Sequence, residues 1–78
     1  MRIELKLYAS LSRYMPEEWR DSPTVEVNEE ITVKGLLRAI KVPLKAVKLV
    51  FLNGVHTKGD EVLREGDRVG VFPPVAGG

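Results

Sequence analysis

The sequence predicts an α+β fold in which a mixed sheet of about five strands packs on one main helix, and three features of the chain carry that prediction. Alternating apolar and polar residues open the chain, a short amphipathic helix follows in the middle, and a hairpin signal with further turns leads into a last strand. With 78 residues there is room for one domain and one core. An apolar share of 44% and a charged share of 29% belong to a chain that folds.

The first strand is read from residues 2–8, where Ile3, Leu5 and Leu7 point one way while Arg2, Glu4, Lys6 and Tyr8 point the other. From Ala9 to Tyr14 the apolar spacing loosens toward a helical turn. Residues 16–23, bounded by Pro16 and Pro23, read as an irregular surface connection in which Trp19 anchors the loop. Alternation returns over Thr24 to Val27 as a second strand. Thr32 is a natural N-cap for a helix whose Val33, Leu36, Leu37 and Ile40 form one apolar stripe. That helix should end near Lys41, because Val42 precedes Pro43 and a residue before proline is pushed out of the helical region.

Residues 48–52 are a β-rich run closed by Asn53-Gly54, a dipeptide suited to the positive φ angles of a type I′ hairpin turn. Gly59-Asp60 and Glu65-Gly66-Asp67 mark later turns, with Leu63 between them plugging the core from a loop. Residues 68–72 make the last strand. Pro73-Pro74 cannot donate ladder hydrogen bonds, so the sheet ends there. One helix covers one sheet face, and the element order is that of the β-grasp, or ubiquitin-like, arrangement. The chain divides into a β-grasp domain over 1–73 and a flexible tail over 74–78. Fully extended, that tail reaches about 17 Å.

Composition excludes several chemistries. Cysteine is absent, which removes disulfides, iron-sulfur clusters and thiol nucleophiles. A single histidine, His56, cannot supply the clustered ligands of a metal site and reads as a surface residue of the hairpin. Ser10, Ser12 and Ser22 lie outside any nucleophile-elbow sequence, so no triad with His56 is expected. The pairs Glu17-Glu18 and Glu29-Glu30 fall in polar connections without an apolar pocket to tune them. No phosphate-binding loop is present, so the chain should hold no ATP or other cofactor itself. A net charge of +1 without a basic run argues against nucleic acid. No window approaches the roughly eighteen apolar residues of a membrane span, and the chain reads as cytoplasmic.

What remains is the end of the sequence. Gly77 and Gly78 lack Cβ atoms and follow a rigid, proline-marked exit, so the tip can thread a tunnel that any side chain would block. Its carboxylate, with an ordinary pKa of about 3.3–3.7, is a poor electrophile until a partner activates it. By itself the dipeptide also fits a frayed end.

From Asn53 to Gly78 the chain resembles the MoaD/ThiS family of ubiquitin-like sulfur carriers. The residues that carry the likeness are Asn53-Gly54, the run Leu63-Arg64-Glu65-Gly66-Asp67-Arg68-Val69, and the ending Phe72-Pro73-Pro74-Val75-Ala76-Gly77-Gly78. Leu7-Tyr8-Ala9-Ser10-Leu11 is similar to the family's first strand running into a short helix, while residues 15–30 fall outside the pattern. Within the family the chain looks most like the molybdopterin synthase small subunit.

The resemblance implies a sulfur carrier without catalytic side chains, working from the Gly78 carboxyl with Gly77 threading the tail. An E1-like adenylyltransferase would consume ATP to adenylate Gly78, and a sulfurtransferase or cysteine desulfurase would supply sulfur for a thiocarboxylate. The tail would then enter a larger synthase subunit and donate sulfur for molybdopterin, the molybdenum or tungsten cofactor. The alternatives are a carrier for thiamine or another thio-metabolite, and a ubiquitin-like modifier forming isopeptide conjugates. The family's partner surface carries over to Tyr8, His56, Phe72, Pro73, Pro74, Val75 and Ala76. His56 stands in place of a commonly apolar residue. Ser12 stands where many relatives have arginine, with Arg13 beside it.

Overall fold

Strict alternation sends Ile3, Leu5 and Leu7 of β1 (Arg2–Leu7) into the core and leaves Arg2 and Lys6 exposed on the opposite face. The computed structural model describes residues 1–74 and adds four strands: β2 (Val25–Glu26), β3 (Leu49–Leu52), β4 (Val55–Thr57) and β5 (Arg68–Phe72). They form one mixed sheet in the order β2-β1-β5-β3-β4. β1 runs antiparallel to β2 and parallel to β5, with Leu5 opposite Val69, while β3 is antiparallel to both β5 and β4. The parallel pairing of first and last strands requires a long crossover, and the one α-helix among the described residues lies within it.

That helix, α1 (Val33–Ala39), begins where the sequence predicts: the Thr32 side chain accepts a hydrogen bond from the Gly35 N–H at 2.9 Å. Val33, Leu36 and Leu37 are buried against the sheet. The helix stops at Ala39, two residues before the expected end. Lys41 adopts a positive φ of 67°, its N–H donates to Arg38 O, and the Val42 N–H reaches back to Leu37 O at 2.9 Å. This is a Schellman-type ending with lysine at the position that usually holds glycine. It turns the chain so that Val42 is buried ahead of Pro43.

Asn53 and Gly54 both take positive φ, 53° and 82°, as a type I′ turn between β3 and β4 demands. The Asn53 side chain also donates to Asp67 and accepts from the Arg68 N–H, tying this hairpin to the turn before β5. Leu63 fills the core from its loop at 2% exposure. The second strand is shorter than the alternation of Thr24 to Val27 suggests, although Val27 remains buried and its N–H donates to Met1 O. Residues Ala9–Tyr14 and Glu17–Trp19 form 3-10 turns, and Trp19 packs half-buried on the core. Among the described residues no helix is long and apolar enough to cross a membrane.

Candidate functional site

The sheet face away from α1 carries the candidate site, because strand parity sends there every second residue of four strands. Tyr8 follows β1, and its N–H donates to Val71 O at 3.0 Å, so the alternation of β1 still fixes its side chain. Phe72 occupies the same face of β5, and its ring stacks on Tyr8 with centroids 4.2 Å apart and planes 3° from parallel. Phe51 of β3 meets Phe72 edge-on at 5.7 Å, and His56 of β4 lies 5.8 Å from Phe51. Three of these four rings come from the sheet centre, and His56 from its edge.

Gly70 makes the cluster concave. It pairs with Lys6 on one side and Phe51 on the other, and a Cβ there would stand 3.5 Å from Tyr8 and 3.7 Å from Phe72. Its missing side chain leaves a notch between the rings, bordered by Glu4, Lys6 and Arg68. Aromatic rings with charged neighbours at the margin are the composition of a protein docking patch. Tyr8 is 38% and Leu49 37% exposed, so the apolar surface reaches solvent.

The same face lies beside the end of the sheet. The Lys48 N–H donates to Phe72 O at 2.8 Å, and then Pro73 and Pro74 follow without N–H groups of their own. Of the residues expected at the site, Tyr8, His56 and Phe72 are brought together with Phe51 as the bridge, while Pro73 is half-buried and Pro74 exposed beyond them. Val75, Ala76, Gly77 and Gly78 lie outside the described residues. Alternation with Val50 and Leu52 sets Leu49 and Phe51 on one face of their strand from the sequence alone, whereas Gly70 carries no such signal. The register of β3 on β5, which sets Leu49 opposite Phe72 and Phe51 opposite Gly70, joins all three to the cluster.

Elsewhere, Ser12 is exposed, and the Arg13 guanidinium stands 5.8 Å over the Tyr14 ring. Glu17, Glu18, Glu29 and Glu30 are all exposed. Glu61 accepts a hydrogen bond from the Thr57 hydroxyl, which holds its carboxyl below the usual carboxylate range.

A helix gripped by a mixed five-stranded sheet, with an aromatic patch at the foot of the C-terminal segment, defines a ubiquitin-like β-grasp protein. No curated protein matches the chain. The chain belongs to the Mut7-C ubiquitin family, whose model matches residues 1–77.

Among solved structures it is similar to SAMP1, small archaeal modifier protein 1 of Haloferax volcanii, at 28% identity over 100% of both chains with a TM-score of 0.64. It is also similar to a protein from Pyrococcus furiosus described as molybdopterin converting factor, subunit 1. There the identity is 28%, the coverage 96% of this chain and 99% of the other, and the TM-score 0.67. A third neighbour, at 22% identity over 100% of both chains with a TM-score of 0.59, shares the fold; its structure is a complex of subunits 1 and 2 of the molybdopterin-converting factor from Helicobacter pylori. The likeness to the molybdopterin synthase small subunit seen in the sequence thus has its counterpart among these folds.

Proposed function

We propose that the chain is a sulfur carrier: the carboxyl of Gly78 is adenylated, becomes a thiocarboxylate, and donates its sulfur in the cytoplasmic biosynthesis of molybdopterin. The observation that carries this reading is the aromatic patch of Tyr8, Phe51 and Phe72 where β5 gives way to Pro73-Pro74. A partner gripping that patch lies within a few residues of Gly77-Gly78.

The chemistry follows from the terminus. The Gly78 carboxylate attacks the α-phosphate of ATP held by an E1-like adenylyltransferase and releases pyrophosphate. The persulfide of a sulfurtransferase or cysteine desulfurase then displaces AMP from the acyl carbon to give an acyl disulfide. A second thiol, attacking the donor's sulfur, breaks the S–S bond, becomes oxidised to a disulfide and releases the thiocarboxylate. The chain contributes no catalytic side chain and binds no cofactor; it supplies a handle and a narrow arm. Val75, Ala76 and Gly77 thread the arm into a larger synthase subunit. The Helicobacter pylori neighbour, solved with its second subunit, supports a partner of that kind.

A second reading, favoured by the likeness to small archaeal modifier protein 1, is a ubiquitin-like modifier whose Gly78 joins lysines through isopeptide bonds. Both readings need the same activated terminus.

The absence of cysteine makes the test specific, because a thiol-directed alkylating reagent then finds no side-chain thiol and marks a thiocarboxylate. Incubation with the E1-like partner, ATP and a sulfur donor should give ATP-dependent labelling of the intact chain. Deletion of Gly78, or Gly77→Trp, should abolish it while the fold survives. No labelling under complete conditions with an authenticated partner would refute the carrier reading. Thiol-resistant conjugates on cellular immunoblots would transfer support to the modifier.

A further inference from the structure

The net charge of +1 conceals a strong segregation. Residues 31–59 hold Lys34, Arg38, Lys41, Lys45, Lys48 and Lys58 and no Asp or Glu, whereas residues 1–30 carry four basic against seven acidic side chains. Residues 60–78 carry two basic against four acidic. The all-basic segment builds α1, β3 and β4, and three of its lysines, Lys34, Lys48 and Lys58, line one groove. Lysines guard exposed sheet edges against unwanted pairing, but that role asks for one or two near β4. It does not account for a segment of this length without a carboxylate.

A groove runs between α1 and the β3–β4 end of the sheet. Its floor is aliphatic, with Leu37 from the helix and Leu44 and Val47 from the turn that follows; its rim carries Lys34, Lys48 and Lys58. Lys34 is held by Asp60 at 3.0 Å. Lys48 and Lys58 are exposed, and no described carboxylate stands within ion-pair distance of either. Beside them β4 closes the sheet and pairs only with β3. Aliphatic floor, cationic rim and an end strand together match an extended segment that alternates apolar with acidic residues.

We infer that this groove docks an acidic, aliphatic segment of a partner protein, on a surface that meets the aromatic patch only at His56. The occupant is a protein and not RNA because single-stranded nucleic acid is held on successive aromatic or arginine stacking platforms, and the lining of this groove is aliphatic and lysine-bearing with His56 as its one aromatic residue. The field of these rim lysines would speed encounter with such a segment and weaken as salt rises. The inference does not depend on the carrier reading, since neither Gly78 nor the rings of Tyr8, Phe51 and Phe72 take part.

Two-dimensional NMR of the labelled protein tests it with three probes: a peptide alternating Asp with Leu and Val, the same peptide with Asn for Asp, and an oligouridine. The acidic peptide should shift resonances of residues 33–48 and 57–59 and leave those of Tyr8 and Phe72 in place. Replacing Asp by Asn, or the exposed pair by K48E and K58E, should weaken binding about tenfold or more. Lys48→Gln with Lys58→Gln should give an intermediate loss and confirm that charge, not folding, is responsible. Absence of shifts in the groove, equal binding of the Asn peptide, or tighter binding of oligouridine would overturn the assignment. Groove shifts that appear on raising protein concentration alone would overturn it in favour of a second copy of this chain.

Discussion

Gly70 offers a perturbation in which stability and docking should part company. The residue sits in the middle of β5 on the outer face, and an added Cβ would meet Tyr8 at 3.5 Å and Phe72 at 3.7 Å, both ordinary van der Waals distances. Gly70→Ala therefore brings no clash and removes the extra backbone freedom that glycine loses on folding, about 0.5–1 kcal/mol in a strand. For a domain of this size a gain of that order raises Tm by about 2–8 °C. Gly70→Leu keeps the same backbone but fills the notch over Gly70, between Phe51 and the stacked rings of Tyr8 and Phe72. If a partner packs there, its binding should fall at least about tenfold, or about 1.4 kcal/mol. Thermal unfolding measures the first effect, and titration calorimetry with the E1-like partner measures the second. A destabilised Gly70→Ala would refute the packing argument. A folded Gly70→Leu that binds the partner as the wild type does would refute the docking face.

Three further outcomes follow from the core, the helix end and one carboxylate. Leu37→Ala removes a fully buried side chain from α1 and should cost about 2–5 kcal/mol in denaturant unfolding, without requiring any partner. Lys41→Gly should stabilise the protein by about 0.5–1 kcal/mol, because lysine holds a left-handed conformation there that glycine adopts without a steric penalty; a loss of stability would contradict the account of the helix end. The Thr57 hydroxyl depresses the Glu61 carboxyl in the folded state, so the stabilisation it gives is present above the ordinary value of 4.5 and lost as pH falls through the lower folded one. Glu61→Gln should thus be the less stable protein at neutral pH and should converge with wild type in acid unfolding below that range.

Much of the fold was legible because its signals are local. The alternation of Ile3, Leu5 and Leu7, the Thr32 cap, the Asn53-Gly54 turn and the proline stop after Phe72 each act within a few residues, and each element stands where those signals put it. The misplaced ends have tertiary causes. Lys41 turns backward although lysine rarely does, because Val42 has a core position to reach. The candidate site was half legible: Tyr8, His56 and Phe72 came through resemblance, whereas Phe51 and Gly70 join them only through the pairing of β3 with β5. The lysine-rimmed groove escaped notice for a similar reason, since its lysines are spaced singly along the chain and the acidic ends cancel them in the net charge.

The central claim is that Gly78 carries sulfur, and tandem mass spectrometry of the protein isolated from its own cells tests it most directly. The C-terminal peptide should end at Gly78 and carry one sulfur in place of one oxygen, with the substitution confined to the last residue. A peptide that continues beyond Gly78, or one that ends there only as the carboxylate in cells actively making the cofactor, would contradict the account.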